Sequence, residues 1–98
     1  MTITSLLELR LKPEALDAAP AVITETLEAT RAFQGCLGVD VLRDTDDAAH
    51  VVLLERWASL EDDDAYRAWR QTPEGGSRLA EVLAAPPVLT RLSVDTDL

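Results

Sequence analysis

The sequence predicts an α+β fold of the ferredoxin-like type, in which two split β-α-β halves follow each other and both helices cover one face of an antiparallel sheet. Four segments have the composition of strands, and two have the residue spacing of amphipathic helices. Clusters of Gly, Pro or Asp separate these segments. The length of 98 residues suits one domain with one core, so we assign residues 1–98 to a single domain.

The first strand and the first helix follow from residue spacing. Residues 2–11 alternate as in a strand, and Pro13 ends the alternation. A stripe with helical spacing comes next, formed by Leu16, Ala19, Ile23, Leu27, Thr30 and Phe33. Because a proline is tolerated in the first turn of a helix, Pro20 places the helix start near Leu16 or Asp17. The helix is expected to close at Gly35.

A hairpin forms the middle of the predicted fold. Residues 36–43 and the branched run "HVVLLERW" (50–57) are its strands, and the acidic residues 44–47 form its turn. His50 is the only histidine, and a lone imidazole cannot form a multi-histidine metal site. Cys36, the only cysteine, has no neighbour in sequence that would lower its pKa. His50 is therefore expected to be structural or to face solvent, and Cys36 is expected to be a small buried residue.

The second helix begins at a capping box made by Ser59 and Asp62. The acidic run 61–64 suits the positive end of a helix, and we expect it to face solvent. The helix should stop near Thr72, before a Pro and Gly cluster. A short third helix at 77–84 and a last strand at 88–95 complete the predicted order β-α-β-β-α-(α)-β.

Apolar residues on both sides of the later strands predict an assembly. Residues 51–54 are continuously apolar, and the last strand is apolar on both of its sides. Two helices can cover only one face of a sheet, so a second copy of the chain is expected to cover the other. We therefore predict a homodimer whose sheets face each other.

Composition excludes several classes of partner. Nine Lys and Arg against 18 Asp and Glu give a formal charge of −9, which repels nucleic acid and anionic lipid. A single cysteine allows no intramolecular disulfide. The first residues do not resemble a signal peptide, and no apolar run approaches about 18 residues. We expect a cytoplasmic protein that binds neither nucleic acid nor membrane.

Three of the four aromatic residues, Trp57, Tyr66 and Trp69, lie in one stretch of the sequence. Tyr66 and Trp69 share a helical face, and Trp57 ends a strand on the same side as Leu53 and Glu55. The three rings either fill the core or line a cavity for a flat, apolar ligand. Four arginines could attract an anionic ligand to such a cavity: Arg56, Arg67, Arg70 and Arg78. The sequence has no phosphate loop, serine elbow or paired metal-ligand spacing, so no cofactor or metal is predicted.

Three short motifs carry a family resemblance. Lys12-Pro13 follows the first strand, Gly35-Cys36 opens the second, and Glu55-Arg56-Trp57 closes the third. In this order they resemble the antibiotic biosynthesis monooxygenase family over nearly the whole chain. The resemblance implies a dimeric α+β barrel. Cofactor-independent members of the family oxidise polycyclic phenols to quinones with molecular oxygen.

The resemblance also implies a set of site residues. Trp57 and Tyr66 match a tryptophan and a tyrosine of the family pocket and are expected to be catalytic. Trp69, Arg78 and Leu53 are expected to contact the substrate, with Leu53 standing where the family has an asparagine. The predicted function is a cofactor-independent monooxygenase that acts on a small aromatic or polyketide-like molecule. A non-catalytic binding module is one alternative, and an isomerase or cyclase that uses Tyr66 as an acid is another.

Overall fold

The computed structural model describes residues 1–98, and its elements follow the predicted order. The strands are β1 (Ile3–Arg10), β2 (Cys36–Asp44), β3 (Asp47–Trp57) and β4 (Val88–Leu92). The helices are α1 (Ala19–Ala32) and α2 (Leu60–Arg70), with 3-10 turns at Pro13–Ala15 and Leu79–Val82. The four strands form one antiparallel sheet in the order β2-β3-β1-β4. This order confirms the predicted ferredoxin-like α+β fold.

The first helix begins later than predicted. α1 starts at Ala19 instead of near Leu16 or Asp17, because Pro13–Ala15 first form a separate 3-10 turn. Pro20 still lies in the first turn of the helix, where its missing N–H would have no helical partner. The physical argument was therefore correct, and only the boundary was wrong.

The turn that follows α1 contacts the first turn of α2 at the Asp62 side chain. α1 ends at Ala32, and Gly35 then takes a positive φ of 88° as the chain turns into β2. A Cβ at Gly35 would overlap the Asp62 side chain, so this turn requires glycine. The Ser59 hydroxyl accepts a hydrogen bond from the Asp62 N–H at 3.1 Å, as the predicted cap of α2 requires.

The chain after α2 is less regular than predicted. The third helix expected at 77–84 is only the 3-10 turn Leu79–Val82, because Leu83 already forms a β-bridge with Leu11. β4 ends at Leu92, three residues before the predicted end. Its last pair with β1 is Leu92 with Thr4, one residue from the start of β1 at Ile3, so little of β1 is left to pair with further residues.

The core lies between the sheet and the two helices. The main cluster consists of Leu9, Leu11, Ala15, Ala19, Val22, Ile23, Leu27, Val39, Val51, Leu53, Leu79, Val82 and Leu83. A second cluster at one end consists of Ile3, Trp57 and Tyr66, with Phe33, Cys36 and Trp69 packed against it. The predicted stripe of α1 supplies its buried side. No helix in the structure combines the length and the apolar composition needed to cross a membrane.

The other face of the sheet, called here the outer face, carries both apolar and polar side chains and has no helix over it. The strand register places six apolar residues there: Leu6, Leu42, Val52, Leu54, Val88 and Leu92. Leu42, Val88 and Leu92 are between 45% and 56% exposed. This is the two-sided apolar pattern from which a homodimer was predicted, and the homodimer itself stays a prediction.

His50 is held at the edge of the outer face by two carboxylates. Its Nδ1 is 2.8 Å from Asp44 Oδ2, and its Nε2 is 3.0 Å from Glu8 Oε1. The hydrogen bond to Asp44, followed by that to Glu8, raises the pKa of His50 above its usual value. The same contact with His50, helped by the Asp46 N–H, lowers the pKa of Asp44. His50 thus joins β3 to β1 and to the end of β2, which is a structural role.

Candidate functional site

A cavity of about 240 Å³, called here the central cavity, lies between the sheet and the two helices. Its apolar wall consists of Leu7, Leu27, Leu53, Leu79, Pro87 and Leu89. Its polar wall consists of Thr26, Thr30, Glu55, Tyr66, Arg67, Arg70, Gln71 and Ser77. A concave site with apolar walls and a few convergent polar groups is the usual form of a small-molecule site.

Backbone geometry explains which side chains reach the central cavity. Side chains alternate along β3, so Leu53, Glu55 and Trp57 are all buried on the helix side of the sheet. On α2, spacings of three, four and seven residues bring a second set to one side of the helix: Asp63, Tyr66, Arg67 and Arg70. Of these residues, Leu53 and Glu55 of β3 and Tyr66, Arg67 and Arg70 of α2 line the cavity, and α1 adds Thr26 and Thr30 to its polar wall.

The Tyr66 hydroxyl is part of a hydrogen-bond network with α1. Tyr66 is 3% exposed, and its oxygen lies 2.6 Å from Thr30 Oγ1. Thr30 Oγ1 donates to the Thr26 carbonyl oxygen, so the phenolic proton of Tyr66 points to Thr30. Arg70 Nε donates to the same phenolic oxygen at 2.8 Å. These bonds hold the Tyr66 ring in place. They also occupy the phenolic proton, which an isomerase or cyclase would have to donate to its substrate.

Arg70 is a half-buried cation that forms no ion pair. Its guanidinium donates to four neutral oxygens, those of the Tyr66 hydroxyl, the Thr30 hydroxyl and the Thr26 and Gly75 carbonyls. It also lies 5.0 Å from the Trp69 ring centroid and 5.1 Å from that of Tyr66. One of its five N–H groups remains without a partner. This positive charge without an ion-pair partner in a cavity wall favours an anionic ligand locally, against the chain's net charge of −9.

Glu55 is a buried carboxylate in the cavity wall on β3. Only 1% of the residue is exposed. Its Oε1 accepts a hydrogen bond from Arg67 at 2.6 Å and another from the Trp57 indole N–H at 3.2 Å. Arg67 supplies the opposite charge that a buried carboxylate needs.

Asp63 corrects the prediction that the acidic run 61–64 faces solvent. It is fully buried, and its Oδ2 accepts a hydrogen bond from the Ser5 hydroxyl at 2.7 Å. Its Oδ1 lies 2.9 Å from Arg67 Nε, so the two residues form an ion pair. Neither of these two atoms forms a hydrogen bond, despite the short distance. Arg91 approaches the same carboxylate at 3.6 Å. The spacing of three residues from Asp63 to Tyr66 puts both on the inner side of α2.

The five predicted site residues occupy three different environments. Leu53 and Tyr66 line the central cavity. Trp69 and Arg78 line a neighbouring, more polar cavity of about 360 Å³, and Arg78 forms an exposed ion pair with Glu25. Trp57 lines neither cavity, because it is fully buried behind Tyr66 with the two ring centroids 4.9 Å apart. The two cavities share Arg70, Thr26 and Ser77 in their walls.

The sequence interpretation did not assign a site role to Thr30 or Glu55, and it named Arg70 only as one of four arginines that could attract an anionic ligand. A site role for Glu55 was predictable from the sequence. It lies between Leu53 and Trp57 on the buried side of a strand, and a buried charge requires a hydrogen-bonded partner. Arg70 follows Tyr66 by four residues, which places both on one helix face. Thr30 lies in the apolar stripe of α1, and nothing in the sequence indicates that its hydroxyl forms a hydrogen bond with that of Tyr66.

Cys36 and the acidic residues do not add a nucleophile or a metal centre to this site. Cys36 is half-buried, and its burial, the largest effect, raises the pKa of the thiol. A thiol with a raised pKa is a poor nucleophile at neutral pH. No group of three or more His, Cys, Asp or Glu side chains is arranged to hold a metal ion.

Comparison with family models identifies one family, and comparison with solved structures finds the same fold. The family model described as antibiotic biosynthesis monooxygenase matches residues 2–75. Rv0793 from Mycobacterium tuberculosis is 25% identical, with a TM-score of 0.77 over 96% of this chain and 95% of that one. A structure described as an antibiotic biosynthesis monooxygenase is 23% identical, with a TM-score of 0.78 over 95% and 98% of the two chains.

The fold recurs at lower identity. A conserved protein from Methanosarcina mazei Go1 is 17% identical, with a TM-score of 0.80 over 94% of this chain and 91% of that one. No curated protein sequence gives a significant match. The family match includes Leu53, Glu55, Tyr66 and Arg70 and ends before Arg78.

Proposed function

Because this chain belongs to the antibiotic biosynthesis monooxygenase family, we propose that its central cavity binds a small aromatic or polyketide-like molecule as an anion and oxidises it with molecular oxygen, without a bound cofactor. The observation that carries this proposal is the charge of Arg70, which forms no ion pair, in the polar wall of a cavity whose opposite wall is apolar. A phenolate or enolate oxygen next to Arg70 would meet that charge and the free N–H group.

The proposed chemistry needs no external reductant. Ionisation of a phenol or anthrone places electron density on the ring carbon that oxygen attacks. That carbon gains one oxygen atom, and two hydrogen atoms leave with the second oxygen atom as water. In an anthrone both hydrogen atoms come from the attacked carbon, whereas in a phenol one comes from that carbon and the other from the hydroxyl group. The chain's part is to hold the anion in a site with little water and fixed dipoles, which is the largest usual contribution of a protein to such a step.

The site residues have different parts in this proposal. Leu53 and Tyr66 position the ring, and Trp57 supports Tyr66 from behind. Trp69 and Arg78 line the neighbouring cavity, on the other side of Arg70. A volume of about 240 Å³ lies below the range of roughly 300–1,000 Å³ that is common for drug-sized ligands, which favours one or two fused rings.

The test of this proposal is oxygen uptake with the two-ring compound 1-naphthol as substrate and the three-ring anthrone as a larger comparison compound. We expect the protein to form quinone after dialysis against chelator, with no flavin or haem added. Arg70→Gln is expected to lower kcat by about a hundredfold, which is the usual cost of one donor to a developing oxyanion. Arg70→Lys keeps the charge but not the fork of donors, and we expect it to retain part of the activity.

Two controls separate the alternatives. Arg43→Gln removes an exposed arginine near the hairpin turn, away from both cavities, and we expect wild-type rates. Calorimetric binding of the same compounds without oxygen reports occupancy alone. Binding with no oxygen uptake would contradict the monooxygenase proposal and support a non-catalytic binding module.

We also propose that the functional form is a homodimer joined through the outer face. Leu42, Val88 and Leu92 expose large apolar side chains there. Sedimentation equilibrium at micromolar concentration is expected to give twice the chain mass of 10.7 kDa. Leu42→Glu should shift the protein to monomer, whereas Leu98→Glu, at the exposed terminus, should not. A monomeric wild-type protein would overturn the proposal.

The cellular setting is proposed from composition. With one cysteine and no intramolecular disulfide, we place the activity in the cytoplasm, with residues 1–98 acting as one domain. The charge of −9 disfavours nucleic acid as a partner. The small-molecule site is then the functional centre of the protein.

A further inference from the structure

We propose that Glu55 is a ligand-binding residue of the central cavity and that it accepts a hydrogen bond from the ligand. The cavity would then select aromatic molecules that carry a hydroxyl group in addition to the oxygen that ionises. This inference rests on the proposed function and narrows its substrate class to dihydroxylated aromatic compounds.

The two oxygens of the Glu55 carboxylate have different surroundings. Oε1 accepts two hydrogen bonds, one from the Arg67 guanidinium and one from the Trp57 indole N–H. No hydrogen bond reaches Oε2. Oε2 is also not completely inaccessible to solvent. The side-chain atoms that are both inaccessible and without a hydrogen bond are Asp63 Oδ1 and Arg67 Nε. Because Glu55 lines the central cavity and is otherwise buried, Oε2 faces the cavity.

A charged acceptor in this position discriminates between ligand groups. An O–H group of a ligand would form a charge-assisted hydrogen bond with Oε2, which is stronger than a bond between neutral groups. An ether oxygen at the same point would place its lone pairs against the carboxylate and leave the acceptor unpaired. The Arg67 guanidinium, 2.6 Å from Oε1, holds the carboxylate in place.

Glu55 and Arg70 lie on different elements of the same cavity wall. Glu55 comes from β3 and presents an acceptor, whereas Arg70 comes from the end of α2 and presents a positive charge. A ligand that satisfies both has an ionised oxygen for Arg70 and a hydroxyl for Glu55. The leucines of the apolar wall provide the surface for its rings.

The test compares two ligands that differ in one methyl group, 1,5-dihydroxynaphthalene and 5-methoxy-1-naphthol. Binding is measured by calorimetry under nitrogen, so that oxidation does not intervene. We expect the wild-type protein to prefer the dihydroxy compound by about tenfold or more, as one charge-assisted hydrogen bond gives. The amide of Glu55→Gln can accept a hydrogen bond from a hydroxyl or donate one to an ether. We therefore expect this variant to bind the two compounds with about equal affinity.

Controls and outcomes keep this inference apart from the proposed function. Glu28→Gln, on the exposed side of α1, should keep the wild-type preference. Equal binding of both compounds to the wild-type protein would overturn the inference and leave the proposed function standing, even if Glu55→Gln did not fold. Binding of neither compound would overturn both. A Glu55→Gln protein with the full wild-type preference would show that a cavity water satisfies Oε2, and the inference would fail.

Discussion

Trp57→Ala is expected to lower the free energy of unfolding by about 3–5 kcal/mol, whereas Trp69→Ala should cost only about 1–2 kcal/mol. Trp57 is fully buried, with its ring centroid 4.9 Å from that of Tyr66. Its removal leaves a cavity and takes a hydrogen-bond donor from the buried Glu55 carboxylate. Trp69 is half-buried, and its main ring contacts are Phe33 at 5.4 Å and the Arg70 guanidinium at 5.0 Å.

Urea unfolding of both variants checks this prediction, and Tyr66→Phe is the matched control for the hydroxyl. The phenol bonds Thr30 and Arg70, so its loss should cost about one or two hydrogen bonds, roughly 1–3 kcal/mol. Equal losses at Trp57 and Trp69 would mean that the aromatic cluster is one core with no open side. The expected inequality means that the cluster is core at Trp57 and cavity wall at Tyr66 and Trp69.

The fold was predictable because its patterns are local. Alternation in β1 and the helical stripe of α1 each depend on residues within about a dozen positions. Apolar residues on both sides of β3 also indicate, from the sequence alone, a sheet face that the two helices do not cover. The errors concern boundaries, such as the start of α1, where a 3-10 turn and a helix satisfy the same composition.

The site was less predictable because its contacts join distant parts of the chain. Arg70 differs from Arg78 in its environment, because α1 brings Thr26 and Thr30 to Arg70, whereas Arg78 pairs with the exposed Glu25. Sequence spacing places an arginine on a helix face but does not show whether a carboxylate will neutralise it. The distinction between a free and a paired charge, which carries the proposed function, therefore depends on tertiary structure.

Asp63 gives the second large expected effect. Asp63→Ala should lower the free energy of unfolding by about 3–5 kcal/mol, because it removes one side of a buried ion pair and leaves Arg67 with Glu55 alone. It also leaves the Ser5 hydroxyl without its acceptor, 58 positions away in sequence. Asp63→Asn keeps an acceptor for Ser5 and should cost less.

Asp64→Ala is a closely matched control, since it removes the adjacent carboxylate of the same acidic run. Asp64 pairs with Arg91 at 2.5 Å, but its side chain is 58% exposed, so its loss should cost about 0–1 kcal/mol. Urea unfolding of the two alanine variants side by side separates a buried charge from a solvated one. Equal, small losses would restore the interpretation that the whole run faces solvent. A large loss at Asp63 alone would show that α2 is fixed to β1 by this carboxylate, and with it the positions of Tyr66 and Arg70 in the cavity wall.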